Sequence, residues 1–258
     1  MCGVDGSSRD EQAVREAIAV AAAAPQLTFV AVSPTASPSV SVASLDERRA
    51  LRVLEQAQAL AAVGGVRAAT QFVRADDVAG ALIGCAGASG LLVAGASGSV
   101  AGALLRRATG PLLIARPVPQ ADDAALHILV AVDDTAAAAG VAGLAGTIAA
   151  AGRGHVHLIH VAGPGYGRAT RHRLAELSIE LIAMTGAEPV VDVLHAHHAA
   201  SCVAQFAQRT QATLVVVGRT GVTGQAALGA VAGCITRTTP CSVLVAPSSV
   251  SAASRSSR

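Results

Sequence analysis

The feature that most limits the fold of this 258-residue chain is an internal repeat. An apolar strand ending in Val-Asp opens each half, at Asp5 and again at Asp133, and a polar turn and an Ala-rich stretch follow it. Further on, SGLLVAGASGSVAGALLRRATGPLLIARP matches ATLVVVGRTGVTGQAALGAVAGCITRTTPCSVLVAP as strand, glycine loop, helix and strand. The spacing of about 125 residues is that of an ordinary domain, so the repeat predicts two similar domains.

Within each half, five runs rich in Val, Leu and Ile alternate with helical stretches. Such runs are typical of parallel strands that are buried on both faces of a sheet. We therefore predict an α/β fold of two tandem doubly wound domains, each a five-stranded parallel sheet flanked by helices. The predicted bounds are a first domain at 1–117, a linker at 118–125, a second domain at 126–247 and a disordered tail at 248–258.

Two local segments carry further structural predictions. The last strand of each half, Leu112–Ala115 and Ser242–Val245, is short and apolar and should form an open edge of its sheet. Because an uncovered apolar edge invites pairing, we expect these two strands to pair antiparallel and to join the halves as an internal pseudo-dimer. The segment Ser33–Ser44, rich in Ser and Pro, predicts a flexible loop before a helix that begins at Leu45.

Composition excludes several classes of function. Aromatic residues make up 2% of the chain and the net charge is +2, so neither base stacking nor a basic nucleic-acid surface is expected. The uncharged stretch between Asp77 and Arg106 is rich in glycine and too weakly hydrophobic for a membrane span. Five cysteines without a CxxC pair, and no secretory signal, predict a cytoplasmic protein. The first half lacks the apolar residues that precede Val-Asp in the second, so we expect the natural start to lie upstream of Met1.

The motifs together resemble a tandem universal stress protein. The resemblance is carried by Val-Asp-Gly-Ser in the first half, by the strand LVVVG and its glycine loop, and by the closing TPCSVLVAP. It implies a five-stranded parallel sheet in each half. It also implies ATP binding where the family's pattern G-x2-G-x9-G-[ST] is present, with the aspartate of the first strand meeting the adenosine part.

The second half keeps part of that phosphate-binding pattern. Gly218 and Gly221 supply G-x2-G, but only seven residues separate Gly221 from Gly229. Ala230 stands where the pattern has a hydroxyl, and Asp134 replaces the glycine that usually follows the aspartate. The cradle is therefore shortened, and we expect ATP to bind weakly and only in this half.

The first half keeps less of the pattern. Gly95 and Gly98 are separated by two residues, and Ser99 follows at once. Aligned from its end, this segment fits the final helix and strand without gaps, so the phosphate loop itself is deleted. No row of backbone N–H groups can then surround a triphosphate.

The candidate nucleotide-binding residues follow from these two comparisons. They are Asp133, Gly218, Gly221, Gly224 and Gly229 in the second half, and Asp5, Gly95, Gly98 and Ser99 in the first. Structural roles stay open for all of them: the glycines can form tight strand-to-helix turns, and Ser99 and both aspartates can cap the helices that follow.

The histidines of the second half do not predict a metal site. Period-two spacing pairs His155 with His157 and His195 with His197, but at opposite ends of neighbouring strands, roughly 15 Å apart. His160 could meet His197 or His198 at the carboxyl ends, yet no carboxylate or thiol joins them.

The predicted function is regulatory binding in a stress response, with ATP as a weakly held ligand. No catalytic residues are assigned, because neither a nucleophile elbow nor a Walker lysine is present. A ligand-free dimerisation or interaction scaffold and a slow ATPase stay open as alternatives. The predicted partners are an adenine nucleotide and, as an open alternative, a second copy of the chain.

Overall fold

Five strands and four helices alternate along each half of the computed structural model, which describes residues 1–7, 10–21, 26–35, 40–96, 98–117, 126–152, 154–163, 167–220 and 228–248. The first half contains β1 (Cys2–Val4), α1 (Asp10–Ala21), β2 (Leu27–Ser33), α2 (Val40–Val63), β3 (Ala68–Arg74), α3 (Val78–Ala86), β4 (Leu92–Gly95), α4 (Gly98–Arg107) and β5 (Leu112–Ala115). The second half contains β6 (His127–Val132), α5 (Ala138–Gly152), β7 (His155–Ala162), α6 (Arg168–Thr185), β8 (Val190–His195), α7 (Ala199–Arg209), β9 (Leu214–Gly218), α8 (Ala230–Thr238) and β10 (Ser242–Ala246).

All ten strands form one sheet in the order β3-β2-β1-β4-β5-β10-β9-β6-β7-β8. Within each half every pairing is parallel, and the two halves have the same internal order read from opposite ends. Parallel strands need helical crossovers, and these place helices on both faces. The predicted fold class, two doubly wound α/β units with five parallel strands each, is confirmed.

The two halves meet through β5 and β10, which pair antiparallel. Leu113 lies opposite Leu244, and Ile114 and Leu112 lie opposite Val243 and Val245. This is the pairing that the short apolar last strands predict. Both edges are consumed inside the chain, so a homodimer would have to use another surface.

The core is continuous across the halves on one face of the sheet and divided on the other. On the first face, α1, α2, α5 and α6 pack over one cluster that contains residues of both halves, including Leu113 and Leu244. On the opposite face, α3 and α4 cover one cluster of the first half, and α7 and α8 cover a separate cluster of the second. On this second face Leu105 of α4 also packs against the cluster of the second half.

One predicted segment is wrong. The stretch Ser33–Ser44 was expected to be a loop, but α2 begins at Val40, so residues 40–44 are helical. Val and Ser are weak helix formers, which hides this turn from sequence patterns. A long helix nucleated further along the chain extends at little cost through such residues.

The structure tests the remaining sequence predictions only in part. The linker at 118–125 and nearly all of the tail, 249–258, lie outside the described residues. β1 has three residues where β6 has six, and the Met1 amino group donates to the Leu91 carbonyl oxygen at 2.8 Å. No helix in the described part of the chain is long and apolar enough to cross a membrane.

Candidate functional site

The ends of β6 and β9 form the point where strand order reverses in the second half. The two strands are parallel neighbours, with Ala131 opposite Val217, while β7 lies on the other side of β6. Ligands of open α/β sheets bind at such a reversal, beyond the carboxyl ends of the strands. Asp133 follows β6 and Gly218 ends β9, so the structure brings these two predicted residues to one edge.

A cavity of about 370 Å³ lies at this edge. Its polar lining comes from Asp133, Thr135 and Thr220, and Gly218 and Gly229 contribute backbone. The rest of the lining is apolar and comes from β6, β7, β9, α5, α7 and α8, including Val141, Val203, Val217 and Ile235. An apolar cavity of this size with a few convergent polar groups is typical of a small-molecule site.

Asp133 is held by the turn that follows β6. Its Oδ1 accepts hydrogen bonds from the Thr135 backbone N–H at 3.0 Å and from Thr135 Oγ1 at 2.5 Å. The helix α5 begins at Ala138, five residues after Asp133, so Asp133 stabilises the turn rather than the first N–H groups of the helix. Its Oδ2 has no hydrogen-bond partner among the described residues.

Asp5 occupies the corresponding position in the first half. Its Oδ1 accepts a hydrogen bond from the Ser7 backbone N–H at 2.7 Å. In both halves, therefore, the aspartate accepts from the backbone N–H two residues further along the chain. The Asp10 carboxylate accepts from the backbone N–H groups of Asp5 and Gly6. Burial raises the pKa of Asp10 to about 6, against the effect of those two donors. The turn in the first half therefore places an additional carboxyl group where the second half has Ala138.

The glycines of the second half have structural as well as cavity-lining roles. A Cβ on Gly218 would make only ordinary contacts, the nearest 3.4 Å from Val141 Cγ2, so packing against α5 does not require glycine here. The Gly229 N–H donates to the Arg219 carbonyl at 2.8 Å, and Gly229 then caps α8 without a side-chain hydrogen bond. Gly221 and Gly224 lie outside the described residues.

The first-half candidates come together less completely. A cavity of about 200 Å³ at the ends of β1 and β4 is lined by Asp5 and Gly95, but by neither Gly98 nor Ser99. Ser99 is exposed and is the second residue of α4, which begins at Gly98, so Ser99 does not occupy the N-cap position that was one of its two possible roles. Gly98 has a φ of +90°, which favours glycine.

Another cavity of the first half, about 490 Å³, lies between α1 and α2. The charged side chains that line it are those of Asp10 and Glu11. Carboxylates repel phosphate groups, so this cavity is a poor place for a nucleotide despite its volume.

Two histidines of the second half, His157 and His127, make structural contacts. His157 Nε2 lies 2.9 Å from Asp192 Oδ2, and its ring stacks on His127 at 5.9 Å and meets the edge of Phe206 at 5.0 Å. Burial lowers the pKa of His127, whose Nδ1 lies 2.9 Å from the Thr210 carbonyl. No group of three metal-ligating side chains occurs among the described residues.

Charge around the second-half cavity does not favour a phosphate. Among the described residues that line it there is no cationic side chain, and the whole chain contains no lysine. Asp133 adds a carboxylate, and Asp134 beside it is exposed. Any anion would depend on the free N–H groups in the first turn of α8.

Two arginines, Arg219, which is buried, and Arg116, which is partly buried, were not anticipated from the sequence. Arg219 and Arg116 follow the apolar strands β9 and β5, and each donates a hydrogen bond to a carbonyl of the other half. A charged residue directly after a buried strand is the only local signal, and it does not reveal a contact with residues more than one hundred positions away.

Residues 125–247 match the universal stress protein family. That match covers the half that contains the 370 Å³ cavity beyond β6 and β9. No curated protein matches the chain.

Three solved structures share the fold along almost the whole chain. A universal stress protein from Archaeoglobus fulgidus DSM 4304 has a TM-score of 0.76 and 18% identity, covering 96% of this chain and 97% of that chain. A candidate universal stress protein from Pseudomonas aeruginosa UCBPP-PA14 has a TM-score of 0.65, with 20% identity, 95% coverage of this chain and 91% of that chain. A functionally unknown protein from Pseudomonas aeruginosa PAO1 has a TM-score of 0.63, with 19% identity, 95% coverage of this chain and 90% of that chain. The likeness in arrangement therefore extends over both halves.

Proposed function

We propose that the whole chain is a cytoplasmic tandem universal stress protein with domains at 1–117 and 126–247, and that it acts as an adenine-nucleotide sensor. The single site lies in the second domain, at the 370 Å³ cavity beyond β6 and β9. The observation that carries this proposal is the convergence of three features on that cavity. They are the Asp133 carboxylate, whose Oδ2 has no hydrogen-bond partner among the described residues, the apolar lining and the first turn of α8.

The apolar lining suits the base and ribose better than the phosphates. A purine ring buries apolar surface, and Asp133 can accept a hydrogen bond from a ribose hydroxyl or an exocyclic amine. The Gly229 N–H, which a phosphate would need, is already donated to the Arg219 carbonyl. We therefore propose that the nucleoside part supplies most of the affinity and that ATP binds weakly.

A ligand-free scaffold is the alternative that a specific observation favours. The engaged Gly229 N–H and the carboxylates at the cavity oppose a triphosphate, while the joined sheet gives the chain a rigid framework without any ligand. A slow ATPase is a further alternative, and it would be recognised by its product.

Titration calorimetry with ATP tests the proposal. Wild-type protein should bind with a dissociation constant weaker than about 10 μM, which corresponds to roughly −7 kcal/mol. Asp133→Ala should abolish this binding, and Asp5→Ala should retain it. The two substitutions remove the equivalent turn hydrogen bond from each half, so the second controls for loss of the turn.

The other outcomes select between the alternatives. If calorimetry shows no heat of binding at millimolar ATP, the ligand-free scaffold is the alternative that remains. Loss of binding with Asp5→Ala alone would move the site to the first half. Steady release of ADP above the rate in buffer would show an ATPase.

A further inference from the structure

Arg219 joins the candidate site to the first half of the molecule. Its two neighbours, Gly218 and Thr220, both line the cavity, whereas its own side chain turns away and is 3% exposed. Its Nη1 donates to the Leu105 carbonyl of α4 at 2.9 Å. One residue therefore connects the cavity of the second half with the last helix of the first.

The backbone of Arg219 holds together the two described ends of the connection between β9 and α8. We call these two residues, Arg219 and Gly229, the loop neck. The Arg219 N–H donates to the Ala246 carbonyl at the end of β10, and its carbonyl accepts from the Gly229 N–H, both at 2.8 Å. A displacement of Arg219 would therefore change where β9 ends and where α8 begins. Both of these points contribute to the cavity lining.

The corresponding residue of the first half lacks this connection. Ala96 makes the same backbone hydrogen bond, from its N–H to the Ala115 carbonyl at 2.9 Å. Its methyl group cannot reach the other half. At this position only the second half, with Arg219, makes the contact to the opposite half.

The guanidinium of Arg219 is held where a buried charge is costly. Its Nε and Nη2 are buried and have no hydrogen-bond partner among the described residues. The carbonyl it does bind belongs to the last turn of α4, the negative end of the helix dipole, which favours a cation. A cation with so few partners stays in place only if the surrounding packing holds it. The position of Arg219 therefore depends on how residues of the two halves pack at their junction, which we call the seam.

Arg116 provides an internal comparison. It donates Nη2 to the Thr236 carbonyl of α8, the position that corresponds to Leu105 in the internal alignment. It is partly buried, with Nη1 also lacking a partner among the described residues. Arg116 donates from the first half to the second, whereas Arg219 donates from the second half to the first. Arg116 is not part of the loop neck.

We propose that Arg219 is a positioning residue that couples ligand binding at the second-half cavity to the packing of α4 in the first half. This inference rests on the proposed function for its ligand, an adenine nucleoside or nucleotide. Ligand contact with Gly218, Thr220 and the start of α8 steadies the loop neck, and the Arg219 side chain carries that constraint to the last turn of α4. Conversely, loosening of α4 displaces the neck and weakens binding.

Adenosine titrations and amide hydrogen exchange of the full chain test the coupling. Arg219→Ala should raise the adenosine dissociation constant about tenfold, whereas Arg116→Ala should change it less than about twofold, although both remove a hydrogen bond across the seam. Arg219→Lys, which retains one donor for Leu105, should bind with intermediate affinity. Adenosine should slow amide exchange in the last turn of α4 in wild type and in Arg116→Ala, but not in Arg219→Ala.

Measurements on the proteins without ligand test this inference independently of the proposed function. Arg219→Ala should accelerate exchange of the Gly229 amide without ligand, and Arg116→Ala should leave it at the wild-type rate. Equal effects of the two variants on binding or on the Gly229 amide would overturn the proposal, because the seam as a whole would then be responsible. If adenosine does not bind wild type at all, the proposed ligand fails, and the Gly229 amide alone decides whether Arg219 positions the loop.

Discussion

Leu113 lies directly opposite Leu244 where the antiparallel pair β5 and β10 joins the two halves, and the two residues occupy the same position in the internal repeat. They therefore sit at the pseudo-two-fold axis of the molecule. Both are buried, at 1% and 0% exposure, within the one core cluster that contains residues of both halves. The halves should accordingly unfold together.

Truncation of this pair should destabilise the whole chain. Leu244→Ala removes buried methyl groups from the shared cluster and should lower the free energy of unfolding by about 2–5 kcal/mol. Leu51→Ala, at an exposed leucine of α2, is the control and should change it by less than about 0.5 kcal/mol. Urea denaturation followed in each half should show a single transition for both variants. Unchanged stability of Leu244→Ala, or separate transitions of the halves, would place the interface elsewhere.

The buried Glu16 carboxyl should make stability depend on pH. It lies on α1 and is 8% exposed, and its Oε1 accepts from Ser242 Oγ at 2.9 Å and from Gln12 Nε2 at 3.1 Å. Burial raises the pKa of Glu16 despite these donors. A raised carboxyl pKa means that its stabilising contribution is fully present below the ordinary value of about 4.3 and is lost as pH rises through the raised value.

Glu16→Gln should therefore become more stable relative to wild type as pH rises. The amide oxygen still accepts both hydrogen bonds but never ionises, so the advantage should vanish near pH 4 and be largest above neutrality. Urea denaturation from pH 4 to pH 8 measures it, with Glu11→Gln on the exposed face of the same helix as the control. A constant difference between Glu16→Gln and wild type across this range would mean that Glu16 is not penalised by burial.

A larger side chain at the end of β9 should block the site without unfolding the chain. Gly218 lines the cavity, and a Cβ there would make only ordinary contacts, the nearest at 3.4 Å. The methyl groups of Gly218→Val would enter the space available to a ligand and should weaken adenosine binding at least about tenfold, or 1.4 kcal/mol. Gly95→Val, at the corresponding end of β4, should leave binding unchanged. Calorimetry on both variants, with circular dichroism to verify folding, would contradict the assignment if Gly218→Val bound as wild type does.

Much of the fold could be predicted because it follows from short-range patterns. The apolar runs at Leu112–Ala115 and Ser242–Val245 are visible as strands, and their lack of polar cover predicts their pairing. The helical turn at 40–44 could not be predicted, because its stability comes from the longer helix it extends. Asp133 and Gly218 could be predicted as site residues because each directly follows or ends a recognisable strand. The contact of Arg219 could not, because its partner Leu105 comes near it only when the two halves join in one sheet.

The ratio of the dissociation constants of adenosine and ATP, measured by calorimetry under the same conditions, tests the central claim most directly. The claim is that the second half keeps a nucleoside pocket beside a phosphate cradle that is shortened, has its Gly229 N–H engaged and carries Asp134 nearby. The account predicts that both ligands bind within about threefold of each other, because the phosphates add little, less than about 0.7 kcal/mol. ATP binding tenfold or more tighter than adenosine would show a competent phosphate cradle and would contradict it.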